Sequence, residues 1–282
     1  MYTFFIYVCD CTLNQNQMKT IFITGSSSGI GKAAAKLFHA RGWHVIATMR
    51  NPEKETELTQ LENVTIMPLD VTDNSQINST IEKAVSLRSI DIVLNNAGHG
   101  LFGPVEAVTN EQIQRQINTN LLGPLHIIQA FIPYFRKQGK GLFINTTSMA
   151  GLTGFPLSSI YNATKWALEG LSECLAIELS IFGIGVKTVS PDATNTNLFR
   201  SADVVSHPLY DRAIQKMLGG IAASIPPEDI AEVIYQAATD NKDQLRYPAG
   251  GDAQQIYARR LEIGPETSRQ ETTNWFLNLQ NS

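Results

Sequence analysis

Three cysteines in 282 residues are too few for a disulfide framework. Cys9 and Cys11 have CxC spacing, not the CxxC of a redox or zinc pair, and Cys174 stands alone in a predicted helix. That scarcity fits a reducing compartment, and a cytoplasmic location is expected. Positive charge is not in excess either. The 22 Lys and Arg against 26 Asp and Glu leave a net charge of −4, which excludes the basic footprint of a nucleic-acid binder or an anionic-membrane binder. No apolar run reaches the roughly 20 residues of a membrane-spanning helix. Tyr2–Val8 is apolar, but it has no basic flank and Asp10 ends it short of a signal segment. Repeats and low-complexity linkers are missing too, so a solenoid or a beaded chain is not expected.

The composition, 43% apolar and 17% charged, is that of a globular chain with a sizeable core. From Met18 onward, short β-branched apolar runs alternate with longer helical stretches. The predicted strands are 20–24, 44–48, 64–69, 91–95, 141–146 and 185–190. Each is nearly continuously apolar, as parallel strands covered on both faces are. Helices are predicted near 30–41, 53–61, 74–86, 111–137 and 158–182, with Pro52 suited to a first turn. This alternation predicts an α/β fold: one doubly wound domain with a parallel sheet and right-handed crossovers. Residues 1–17 precede the pattern and read as a tail outside the fold. The alternation breaks at 192–225, which has no strand candidate, and an insertion of that length is usually functional or mobile. A helix near 227–239, a strand around 245–247 and a polar C-terminal extension, 251–282, complete the chain.

Directly after the first strand, Thr24-Gly25-Ser26-Ser27-Ser28-Gly29-Ile30-Gly31 runs into a helix. A strand, a glycine-rich turn and a helix N-terminus together suit a dinucleotide: glycines let the backbone approach the pyrophosphate, and the helix end meets its charge. The spacing is GxxxGxG, not GxGxxG. Thr48-Met49-Arg50-Asn51 follows the second strand without the carboxylate that would accept from a ribose 2′-hydroxyl, whereas Arg50 matches a 2′-phosphate. The expected cofactor is therefore NADP(H), preferred over NAD(H). Asp70, beside Val71, could accept from the adenine amino group or cap the following turn.

Tyr161-Asn162-Ala163-Thr164-Lys165 places a phenol and an ammonium at i and i+4 on one helix face. Ser148 stands at the end of the fifth predicted strand, thirteen residues upstream of Tyr161. In a parallel sheet that end faces the same crevice as the glycine turn.

Together these motifs resemble the short-chain dehydrogenase/reductase family over residues 18–250. They occur in the family's order: the turn 24–31, Asp70, Asn95-Asn96-Ala97-Gly98, Asn120, Ser148, and Tyr161 with Lys165. The resemblance implies that Tyr161 is the general acid or base, that Lys165 favours its phenolate and holds the nicotinamide ribose, and that Ser148 fixes the substrate oxygen. It further implies that Asn120 anchors a water linking Lys165 to solvent, that Asn96, Ala97 and Gly98 pack under the cofactor, and that Pro191 and Thr196 lie beside the nicotinamide. One departure is Pro191-Asp192 where the family usually has Pro-Gly. Asp192 either places negative charge near the nicotinamide or points to solvent.

Met49–Glu53, Gly100–Pro104 and Arg246–Pro248 are similar to the hydroxysteroid- and retinol-dehydrogenase-like branch. In that branch the 192–225 insertion forms a lid over an apolar substrate, which Phe102, Met149, Phe155, Leu198, Phe199 and Tyr210 would line. A reductase of small aldehydes, ketones or 3-oxoacyl thioesters would share every catalytic residue. A non-catalytic redox sensor would commonly lack the tyrosine or the lysine. The family usually forms homodimers or homotetramers; the stripe Leu168, Leu171, Leu175 and Leu179 fits a core face or an interface.

Overall fold

The structure, a computed structural model, describes residues 18–196, 201–220 and 224–281. Leu198 and Phe199 lie outside the described residues. The strands are β1 (Thr20–Thr24), β2 (His44–Met49), β3 (Val64–Pro68), β4 (Ile92–Asn95), β5 (Leu101–Phe102), β6 (Gly141–Thr146), β7 (Ile184–Pro191), β8 (Asp203–Val204) and β9 (Arg246–Ala249). The helices are α1 (Gly29–Ala40), α2 (Asn74–Leu87), α3 (Asn110–Ile117), α4 (Gly123–Gln138), α5 (Ser159–Ser180), α6 (Asp211–Gly220), α7 (Pro227–Thr239), α8 (Gly251–Ile263) and α9 (Pro265–Asn281).

Seven strands form one parallel sheet in the order β3-β2-β1-β4-β6-β7-β9. The order reverses between β1 and β4, which opens the crevice where such sheets bind ligands. The central strands β1, β2 and β4 are buried on both faces because their side chains alternate between two cores. Ile21 and Ile23 of β1 join α1 and α7 on one side, and Phe22 joins α2, α4 and α5 on the other. There Phe22 and Phe131 have ring centroids 5.2 Å apart, and Phe135 and Phe143 5.1 Å. Removing one such ring costs about 3–5 kcal/mol. The leucine stripe of α5 is a core face, with Leu168, Leu175 and Leu179 buried and Leu171 packed against them.

Three expectations are corrected. Residues 53–61 are not a helix but two 3₁₀ turns, Pro52–Lys54 and Leu58–Gln60. The Glu55 carboxylate accepts from the amides of Glu57 and Leu58, both at 2.9 Å, and so interrupts the chain's own ladder. The predicted helix 111–137 is α3 and α4 joined by a π-helical turn, Asn118–Leu122. The region 192–225 does contain a strand, β8, because Asp203 and Val204 pair in parallel with Leu101 and Phe102 of β5. The polar C-terminal extension, for which the sequence gives no element, forms two helices, α8 and α9, and α9 packs on α6: Phe276 joins Leu157, Ala213 and Ile214 in a third apolar cluster.

Candidate active site

At the dinucleotide end the backbone does most of the work. Gly25 and Gly29 have φ of +70° and +55°, in the left-handed region that glycine adopts without strain. A Cβ at Gly31 would stand 2.3 Å from the Gly25 carbonyl oxygen, so only glycine lets α1 start this close to β1. Gly31 therefore lies under the turn, while Gly25, Ser27, Ser28, Gly29 and Ile30 line the cavity above it. Ser28, the N-cap of α1, makes no side-chain capping bond, and no acidic residue occupies the first turn. The positive end of α1 is thus open to an anion. Thr24 Oγ1 accepts from the amides of Asn96 (3.0 Å) and Ala97 (3.1 Å), and Asn96 Nδ2 donates back to the Thr24 carbonyl at 3.1 Å. The two turns under the expected cofactor are bolted together. These residues fit a dinucleotide.

Arg50, Asp70, Val71, Ala97 and Gly98 line the same cavity. Among the described residues no carboxylate forms an ion pair with Arg50. Asp70 Oδ1 accepts from the Thr72 amide (2.9 Å) and hydroxyl (2.7 Å), which is the turn-capping role.

The catalytic end is assembled from strand ends and α5. Ser148 follows β6 and caps a 3₁₀ turn, Met149–Gly151, by accepting from the Ala150 amide at 3.1 Å. Tyr161 lies in the first turn of α5, lining the cavity with Ser148 and next to Phe102, whose ring centroid is 6.0 Å away. Burial pushes the Tyr161 phenol above its ordinary pKa, and the neighbouring Ser148 hydroxyl pulls the other way. Lys165 is buried, with Nζ donating to the Thr146 carbonyl at 2.9 Å and 5.7 Å from the Tyr161 ring centroid. Burial lowers its pKa to about 8, and the Glu169 charge opposes that shift. All three groups face one cavity of about 910 Å³ with Pro191 and Thr196.

Asn120 is buried beside the strand-four turn. It sits in the π turn, a feature often found at functional sites. There Oδ1 accepts from the His99 amide at 3.0 Å and Nδ2 donates to the His99 carbonyl at 2.9 Å. Its carboxamide is committed to the strand-four turn, and it is not on the cavity wall. His99, neutral with a pKa lowered to about 4 by burial and by Arg115 and Arg50, does line the wall. Asp192 lines the cavity beside Pro191, and its carboxylate is held by backbone amides. Its Oδ2 accepts from the Asp252 amide at 3.0 Å, in the first turn of α8, and Oδ1 from the Ala193 amide at 2.7 Å. It caps a helix end.

At the substrate end Phe102, Met149 and Phe155 are on the cavity wall as expected. Tyr210 is not: it packs in the apolar cluster between α6 and α9, with its ring centroid 5.5 Å from that of His207. Three apolar residues of the α6 and α9 helices that the sequence did not assign to the site also line it: Met217 of α6 and Trp275 and Leu279 of α9. The only available signal was the i,i+4 spacing of Trp275 and Leu279, which puts them on one helix face.

The family model described as short chain dehydrogenase matches residues 19–204. An uncharacterised oxidoreductase of Schizosaccharomyces pombe is 41% identical over 225 residues, covering 78% of this chain and 95% of that protein. The 17-beta-hydroxysteroid dehydrogenase type 1 of Mus musculus is 29% identical over 249 residues, covering 80% of this chain and 72% of that protein. Among solved structures, a short-chain dehydrogenase from Streptomyces avermitilis superposes with a TM-score of 0.82 at 32% identity, covering 95% of this chain and 99% of that one. With a matching fold, an ordered set of motifs and a shared cavity, the chain belongs to the short-chain dehydrogenase family of oxidoreductases.

Proposed function

We propose that this protein is an NADP(H)-dependent reductase that converts an apolar ketone or aldehyde to the alcohol, and the reverse at alkaline pH. The observation that carries the reading is the convergence of Ser148, Tyr161 and Lys165 on one cavity that Arg50 and the apolar residues Phe102, Met217 and Trp275 also line. A bound nicotinamide would supply or accept the hydride. The uncapped end of α1 would hold the pyrophosphate, and Arg50 would form a paired contact with a 2′-phosphate. Ser148 would hold the carbonyl oxygen against Tyr161, whose hydroxyl proton goes to that oxygen as it gains negative charge. A phenol with a raised pKa keeps this proton at neutral pH, which suits reduction. Oxidation needs the phenolate and is favoured only as pH rises. The apolar wall, together with the similarity to a hydroxysteroid dehydrogenase, supports an extended hydrophobic substrate over a small aldehyde.

Fluorescence titration with NADPH and NADH tests the first half. Wild type should prefer NADPH, and Arg50→Ala should weaken NADPH binding about tenfold or more, the scale of one charge-assisted contact, without weakening NADH. Equal loss for both cofactors would sink the role of Arg50. A panel of steroid, retinoid, alkyl-ketone and thioester substrates, with Tyr161→Phe as control, tests the second half.

A further inference from the structure

The reaction described above leaves unused one buried carboxylate, a helical turn beyond Lys165. Glu169 of α5 is 4% exposed. Its Oε1 accepts from Thr147 Oγ1 at 2.6 Å and Ser190 Oγ at 3.1 Å. Its Oε2 accepts from Thr188 Oγ1 at 3.2 Å and Arg246 Nε at 3.0 Å. These four donors come from three adjacent strand ends. Thr147 immediately precedes Ser148, Ser190 immediately precedes Pro191, and Arg246 opens β9. Glu169 itself rides on the helix that carries Tyr161 and Lys165. One carboxylate therefore ties the strand ends bearing Ser148 and Pro191 to the helix bearing the other two groups. Gly151 adds to the close fit: a Cβ there would stand 3.0 Å from the Lys165 carbonyl oxygen and 3.2 Å from Glu169 Cγ.

Burying a carboxylate costs several kcal/mol unless it is paired and fully hydrogen-bonded. An aliphatic residue would pack α5 on the sheet without that cost. What only the carboxylate adds is a set of directed bonds and a negative charge behind Lys165. Resting on the catalytic reading above, we infer that Glu169 is a positioning residue of the reaction: it sets Ser148 and the Pro191 turn against Tyr161 and Lys165, and supplies the countercharge to the Lys165 ammonium. The charged and titratable groups around this pair are Tyr161, Lys165 and Glu173 from α5, Arg246 from β9 and Tyr257 from α8. Among the described residues, Glu169 is the carboxylate whose charge favours the Lys165 ammonium.

The test uses three variants of the full chain. Glu169→Gln keeps the shape and removes the charge. Thr147→Val keeps the charge and cuts the shortest tether. Glu173→Gln removes the exposed carboxylate on the other side of Arg246. Carbonyl reduction with NADPH gives kcat and KM. The Lys165 titration is read separately in the apoprotein by NMR of 13Cε-labelled lysine, its signal identified by loss in Lys165→Met. For Glu169→Gln, kcat should fall about tenfold with KM within about twofold, the pattern of a lost transition-state contact, and the Lys165 midpoint should drop. Thr147→Val should lower kcat with the midpoint unmoved, and Glu173→Gln should change neither. Folded Glu169→Gln with wild-type kcat and midpoint would overturn the inference, as would equal effects in Glu173→Gln. Should Glu169→Gln fail to fold, wild-type kcat in Thr147→Val overturns it. If wild type reduces no carbonyl, the proposed function falls, while the Lys165 midpoint still decides for or against Glu169.

Discussion

The two ends of the cavity are built by different means. The dinucleotide end is backbone packed on backbone. Gly25 and Gly31 meet Ala97, Asn96 and each other at distances that leave no room for a Cβ, and the Asn96 and Ala97 amides donate to Thr24 Oγ1 while Asn96 Nδ2 donates to the Thr24 carbonyl. The substrate end is made of side chains from distant segments. β5 pairs with β8 over two residues, Lys216 donates to the Leu279 carbonyl at 3.2 Å, and Gln280 donates to the Leu209 carbonyl at 3.2 Å. Trp275 remains 44% exposed there. A backbone cradle tolerates almost no change, whereas a wall of half-buried side chains can change its lining without disturbing the sheet. Cofactor binding and substrate choice should therefore respond to mutation separately.

The sharpest way to break this comparison lies at its boundary. Tyr161→Phe should lower kcat by about 10²–10⁴-fold, the worth of a positioned general acid, with NADPH affinity within about twofold. A parallel loss of NADPH binding, by fluorescence, would mean the two ends are not separable. The pH profile follows. Lys165, with a folded pKa of about 8, loses its ammonium as pH rises through that value. Reduction should decline above about pH 8, and oxidation should climb with pH as the raised Tyr161 phenol ionises. A reduction rate still rising at pH 9 would contradict this assignment. Smaller effects belong to the outer wall. Trp275→Ala should raise KM for bulky ketones about tenfold, since burying a large aromatic ring contributes about 1.5–3 kcal/mol, while sparing small ketones and NADPH affinity. Equal KM changes across the panel would remove α9 from the substrate site. The smallest is Asp192→Gly. The loss of a bond to the first turn of α8 should cost about 1 kcal/mol of stability, seen as a lower Tm. NADPH affinity should stay put, and a large change in it would restore a direct role at the nicotinamide.

The elements that carry the cofactor motif were legible because their constraints are local. A glycine turn between a strand and a helix, or Tyr161 and Lys165 at i and i+4, has the same meaning wherever the chain places it, and all seven sheet strands were expected within one or two residues. What escaped depends on partners far away in sequence. Strands β5 and β8 are two residues each and have no periodicity to detect. Asp192 looks like a misplaced charge until the Asp252 amide, sixty residues later, is brought to it. Glu169 looks like a polar interruption of an apolar stripe until four donors from three strands converge on it. Tyr210 failed for the opposite reason: an aromatic in a lid can face the substrate or the lid's own support, and only the packing of α9 chooses.

The sequence by itself thus determined the parallel sheet, the crevice at its strand ends and the types of chemical group delivered there, because hydrophobic period and glycine stereochemistry act over a few residues. The tertiary structure alone decided which buried charges are satisfied, that Asn120 clasps His99, and that the C-terminal helix walls the cavity. Those outcomes depend on long-range contacts, and on the cost of burying a polar group without a partner, which no local pattern records.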